Sequence, residues 1–564
     1  MSSWTLALAF VAAALVALAA RRRWLLSAAK HPSLAGHPRL ARRLVRWIPP
    51  LRYGTKEALA CDGAPPEIAS RRANALRRLS DAFVKRFARS IALSQSGAVF
   101  LSDLRFTRAY RAPLTFAEVT SGPLSSGTFV EATRGVRIID ADGNESYDVA
   151  GSYGVNLFGH EFYKACIGRG AERIRELGPV LGPYHPIVVG NAQRLAAISA
   201  LDEVSFHMSG TEAVMQAVRL ARYHTRRDRV VCFAGAYHGW WGDVQPGVGN
   251  PLRARDTFVL REMDDRTIRL LRHRRDIACV LVNPIQALHP NRSAPSDSAL
   301  LGERTFPRYD RRAYASWLRT LRDVCTERGI ALVFDEVFVG FRIARGGAQE
   351  YFGVAADMVT YGKTVGGGLP IGVLCGKAEL TRRYREERPA DVCLARGTFN
   401  SHPYVMGAMH EFLDHLDRPR TRELYDSLDA VWDERARRFN LALAEAGVPV
   451  CAANLSSIWS IGHKVPSRFN WMLQYYLRRH GIALSWVGTG RLVFSLDYTD
   501  ADMQAVTERF VAAAQEMRED GWWWHPAHQS NRSIRKALLR EMAVARLHEP
   551  TRGLPEPTRV TPLF

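Results

Sequence analysis

Met358-Val359-Thr360-Tyr361-Gly362-Lys363-Thr364-Val365-Gly366-Gly367-Gly368-Leu369-Pro370 is the stretch that decides the fold. A short apolar run ends on a lone lysine, and three glycines follow. The run predicts a buried strand, and the glycines predict backbone that can turn tightly and approach a ligand. A lysine in such a loop is ordinarily structural. It can also be an amine held in a pocket as a nucleophile toward a carbonyl. The rest of the chain decides between the two.

Working outward, 229–233, 277–282 and 330–334 are further short apolar runs, with amphipathic helical patterns between them, as over 310–328. Strands alternating with helices predict an α/β fold with a mainly parallel sheet covered on both faces. Before this region, 136–149 reads as a hairpin turning at Asp142-Gly143-Asn144. After it, about 405–520 reads as a smaller α+β domain.

Three more segments lie at strand ends, where open α/β sheets bind ligands. Ser209-Gly210-Thr211-Glu212 opens a helix, and the free N–H groups and dipole there suit a phosphate. It is equally an ordinary helix cap. Tyr237-His238-Gly239 follows the 229–233 strand, where an aromatic can stack on a planar ring or simply pack in a core. Asp335-Glu336-Val337 ends the 330–334 strand. A carboxylate there needs a partner, and a protonated pyridine nitrogen would be one. Either Asp335 or Glu336 can be that acid.

The chain has 564 residues, too many for one compact core, and ordinary apolar and charged content of 47% and 24%. Its eight cysteines are scattered without metal-ligand spacing, so no metal site is expected. The net charge of +21 has a visible owner: residues 21–53 hold nine Arg or Lys and no acid. Residues 4–20 before them are uncharged and as long as a short bilayer span. Basic residues after such a run predict a single-pass anchor with the catalytic body in the cytoplasm, and an interfacial segment over 39–53. No nucleic-acid-binding motif is present.

In this order, the motifs Ser209-Gly210-Thr211-Glu212-Ala213, Tyr237-His238-Gly239, Asp335-Glu336-Val337 with Gly340-Phe341-Arg342, and Gly362-Lys363 resemble those of class III aminotransferases. These are pyridoxal 5′-phosphate enzymes of fold type I, and the resemblance is strongest to the glutamate-1-semialdehyde aminomutase branch. It implies a large domain with a mainly parallel seven-stranded sheet over 126–400, entered through a hairpin region at 128–160, and a small domain over 401–522. Outside them would lie an anchor at 1–23, a basic extension at 24–125 and a basic tail at 523–564. It implies that Lys363 holds the cofactor covalently and then carries protons. Asp335 would pair with the ring nitrogen, Val337 and Tyr237 would cover the two ring faces, and Gly210 and Thr211 would hold the phosphate. Ser209, His238 and Gln286 would complete the cofactor site. Thr398 would reach the partner subunit's phosphate in a homodimer with shared sites. Tyr153 and Arg491 would meet the substrate, Arg491 through a carboxylate. Asn283 stands where the family has a glutamate. The implied reaction moves an amino group between an amine donor and a carbonyl acceptor, a hydrophobic one being suggested by the anchor. An aminomutase is the first alternative, and a non-catalytic cofactor-binding scaffold the second.

Overall fold

The computed structural model describes residues 3–250, 256–284, 310–485 and 490–548. A seven-stranded sheet organises the molecule. Its strands are β4 (Glu203–His207), β5 (Arg229–Phe233), β6 (Thr257–Leu260), β7 (Ile277–Val282), β8 (Ala331–Asp335), β9 (Met358–Gly362) and β10 (Gly372–Gly376), in the order β4-β10-β9-β8-β7-β5-β6. β10 alone runs against its neighbours, which makes the sheet mixed. All six residues of β7 are buried. Helices cover both faces, so its sequence, Ile-Ala-Cys-Val-Leu-Val, is continuously apolar instead of alternating.

The hairpin region forms β1 (Val130–Arg134), β2 (Arg137–Asp140) and β3 (Glu145–Asp148), with the β2–β3 turn at residues 141–144. Asp140 holds that turn by accepting N–H groups from Asp142 and Asn144 at 3.0 and 2.9 Å. The C-terminal part supplies β11 (Val450–Leu455), β12 (Ile458–His463), β13 (Ile482–Ala483) and β14 (Arg491–Val493). β13 joins the hairpin by pairing parallel with β3, and the other three form their own sheet.

Five helices matter below. α1 is Ser3–Ala29, α2 is Pro38–Leu44, α3 is Pro66–Arg86, α4 is Gly210–Thr225 and α5 is Asn531–His548. The extension before the hairpin, which carries no motif, packs on the small domain. Leu79 and Phe83 of α3 share a core with Trp459, Tyr475 and Phe510. Arg72 of α3 is 1% exposed and donates to the carbonyls of Leu59 and Gly521, both at 3.0 Å. α5 closes the same core through Ile534 and Leu538.

The expected bilayer span at 4–20 is corrected here. Among the described residues no helix is long and apolar enough to cross a membrane. α1 continues from the apolar run straight through Arg21, Arg22 and Arg23. Its last turns belong to the globular body. Leu25 and Ala29 are buried in the large-domain core, and Arg261 N–H donates to Ala29 O at 3.0 Å.

Candidate functional site

The carboxyl ends of β4, β5, β7, β8 and β9 open on one cavity of about 890 Å³. Each strand delivers its functional residue at or just after its last position. Ser209 and Gly210 follow β4, Tyr237 and His238 follow β5, Asn283 follows β7, Asp335 ends β8, and Lys363 follows β9. Ser209, Gly210, Thr211, Tyr237, His238, Asp335, Val337, Lys363, Tyr153 and Arg491 all line this cavity. Gln286 lies outside the described residues. Thr398 is not in the cavity wall; it is exposed on the loop before the helix Pro403–Leu416.

At the start of α4, Ser209 caps the helix by accepting Glu212 N–H at 3.3 Å, and Glu212 in return accepts Met208 N–H at 2.9 Å. The first N–H groups of α4, at Gly210 and Thr211, have no partner within the helix and belong to the cavity wall. Two glycines keep this corner open. A Cβ on Gly210 would meet Val337 at 2.6 Å, and one on Gly239 would meet Thr211 Oγ1 at 2.5 Å.

Asp335 is 3% exposed and fully engaged. His238 Nδ1 lies 2.7 Å from Oδ2, while Val337 N–H and the Thr360 hydroxyl donate to Oδ1 at 3.2 and 3.3 Å. These three contacts fix its carboxyl group at the cavity wall. Glu336 goes elsewhere: it is buried behind the strand end and accepts Ala348 N–H at 2.6 Å. Burial raises its pKa to about 8. Of the two adjacent acids, Asp335 is therefore the one that faces a ligand.

Burial lowers the pKa of Lys363; Asp335 opposes this and Arg491 adds to it. The Lys363 backbone is left-handed, with φ of 50°. Tyr153 sits at the mouth on a turn in which Gly151, Ser152, Tyr153 and Gly154 all have positive φ. Such backbone is costly for non-glycine residues and concentrates at functional sites. A Cβ on Gly154 would meet the Phe338 ring at 2.7 Å and Lys363 Cδ at 3.4 Å, so this turn lies against the lysine stem. The Arg491 guanidinium is 5.4 Å from the centre of the same Phe338 ring, and burial pushes its pKa down to about 10.

In the sequence Arg342 stands out only as part of the Gly340-Phe341-Arg342 motif. It is 1% exposed and clamps the mouth turn to the small domain. Its guanidinium donates to the carbonyls of Gly154 at 3.3 Å, Asn156 at 2.9 Å and Phe494 at 2.8 Å, and to Ser457 Oγ at 3.1 Å. An arginine closing the apolar run Val337-Phe338-Val339-Gly340-Phe341 was the available signal.

This donor set fits pyridoxal phosphate. The glycine-kept corner at the α4 N-terminus suits a dianionic phosphate. The buried Asp335 carboxyl group suits a protonated ring nitrogen, and Tyr237 and Val337 line the same cavity, where they could pack on a flat ring. Lys363 supplies the amine.

The profile of the class-III aminotransferase family matches residues 119–242 and 310–514. A glutamate-1-semialdehyde 2,1-aminomutase of Citrifermentans bemidjiense is 31% identical over 380 residues, covering 63% of this chain and 80% of that protein. The aminomutase of Acetivibrio thermocellus is 33% identical over 297 residues, and the match spans 64% of its length and 50% of this chain. Among solved structures, an omega-transaminase from Sphaerobacter thermophilus superposes with a TM-score of 0.62 at 26% identity, covering 76% of this chain and 98% of that one. A glutamate-1-semialdehyde aminomutase from Pseudomonas aeruginosa shares the fold, with a TM-score of 0.62 at 18% identity over 79% of this chain and 99% of that one. Its matched motifs, sheet and cavity thus make this chain a member of the class-III aminotransferases, enzymes that depend on pyridoxal phosphate.

Proposed function

We propose that the chain moves an amino group from an amine donor to a carbonyl acceptor, with Lys363 as nucleophile and proton carrier. The carrying observation is the meeting of Lys363, Asp335 and the α4 N-terminus in one cavity. Bound there, pyridoxal phosphate supplies a carbonyl carbon for amines and a ring that withdraws electrons when a neighbouring C–H bond breaks. The protein supplies the rest. Burial enlarges the neutral fraction of Lys363, the form that attacks a carbonyl and accepts a proton at Nζ. Asp335, held by three hydrogen-bond contacts, is the acid that faces the ring nitrogen. Arg491 is the group for a substrate carboxylate. Val155, Met208, Leu369, Ile371 and Val493 give the wall apolar area, which supports a hydrophobic acceptor.

Thr398 supports a homodimer reading: it is exposed on a loop, free to enter a neighbouring subunit's site. The aminomutase relatives favour a second reading, migration of the amino group within one molecule. A stoichiometric keto product supports transfer; amino migration without one supports the mutase. Asn283 in place of an acid is what a catalytically silent scaffold would offer, and a half-reaction with an amine excludes it. Purified Lys363→Ala protein should lose turnover and the visible absorption of the cofactor-loaded enzyme. Retention of both overturns the assignment.

A further inference from the structure

We propose that the two ends of the chain build one surface that docks on an anionic lipid bilayer. The first half is α2 with the segment that follows it. Leu44, Val45, Arg46, Trp47 and Ile48 are all exposed in succession, Trp47 by 64%. The second half is the outer face of α5. Its inner face is occupied: Ile534 and Leu538 are buried, and Glu541 turns in to Arg468 at 2.9 Å. Its outer face exposes Leu539 and Leu547, at 67% and 81%, among Arg535, Lys536 and Arg540, and the one acid of this stretch, Glu541, is paired with Arg468.

The halves are joined directly. Arg546 of α5 donates to Trp47 O at 2.6 Å, and its guanidinium lies 4.7 Å from the Trp47 ring centre. Residues almost five hundred positions apart thus share one patch in which basic and large apolar side chains alternate. α1 enters from the same end of the chain with its residues 7–20 exposed and apolar.

Charge and composition select the occupant. Interleaved arginine, tryptophan and leucine match the headgroup boundary of a bilayer, where cations meet lipid phosphate and apolar side chains enter the acyl region. A nucleic acid would use the arginines but leave the aliphatic groups in water. A second copy of this surface would set arginines against arginines. The mode is peripheral, which accords with the lack of a bilayer-length apolar helix among the described residues.

Flotation of the full-length, cofactor-loaded protein with phosphatidylcholine vesicles, with and without phosphatidylglycerol, tests this. Binding should be about tenfold or more stronger on the anionic vesicles and should weaken as salt screens the charges. Arg535→Glu/Lys536→Glu/Arg540→Glu, which leaves the inner face of α5 intact, should lower binding to anionic vesicles by about tenfold or more at unchanged turnover. Arg43→Glu/Arg46→Glu should do the same from the other half. Equal binding to neutral and anionic vesicles overturns the proposal. So does wild-type binding by both variants, or loss in the variants of self-association or RNA binding instead of vesicle binding.

Discussion

His238 Nδ1 lies 2.7 Å from Asp335 Oδ2, and both side chains are almost wholly buried. The pair is positional: the imidazole fixes the carboxylate at the cavity wall, while His238 Nε2 has no protein partner. A hydrogen bond to a buried charge contributes roughly 1.5–3 kcal/mol. His238→Leu should therefore fold, but bind pyridoxal phosphate about tenfold or more weakly, since Asp335 loses its best donor. Fluorescence titration of the apoprotein reads this directly. An unchanged dissociation constant means that His238 only fills space.

Arg342 couples the substrate mouth to the small domain through four hydrogen bonds. Arg342→Met keeps most of the bulk and strands three carbonyls. The expected loss is about 2–4 kcal/mol of stability, from unsatisfied buried acceptors. KM should rise more than kcat falls, because the Gly151–Gly154 turn carrying Tyr153 loses its clamp while Lys363 and Asp335 keep their own supports. Denaturant unfolding and steady-state kinetics separate the two effects.

Gly239 has φ of 91°, and an added Cβ would lie 2.5 Å from Thr211 Oγ1. Gly239→Ala should push Thr211 into the corner assigned to the phosphate. The backbone strain alone costs about 1 kcal/mol. Cofactor affinity should fall while the fold survives, and inorganic phosphate should protect the apoprotein from heat less than it protects the wild type.

The sheet and the cavity were legible because their signals are local. A strand that ends on a lysine, a capped helix start and an aspartate closing an apolar run each announce themselves within a dozen residues. Asp335 could not be separated from Glu336 in sequence. The choice depends on which way each side chain leaves the strand, and the backbone N–H of Ala348 claims Glu336. The role of Arg342 was hidden for a similar reason, since its acceptors lie as far away as Phe494. α1 was misread as a span because composition reports an apolar run and says nothing of what its far end packs against. The docking of α3 on the small domain has no motif at all; it is ordinary burial of Leu79 and Phe83 against residues hundreds of positions later.

Glu336 offers a test through pH. Its folded pKa is raised to about 8 by burial, from an ordinary value of 4.5. The native state therefore keeps a proton that the unfolded chain releases. Stability should fall as pH rises from about 4.5, with a slope for this one group of about 1.4 kcal/mol per unit, and level off above about 8, where both states are ionised. Glu336→Gln removes the titration while its carboxamide oxygen still accepts the Ala348 N–H. The variant should match the wild type near pH 5 and exceed it at pH 8 by about 3–4 kcal/mol. Asp335 and Lys363 are untouched, so cofactor binding should change little. Unfolding midpoints across this range decide the matter: parallel curves for the two proteins would show that Glu336 ionises normally in the fold.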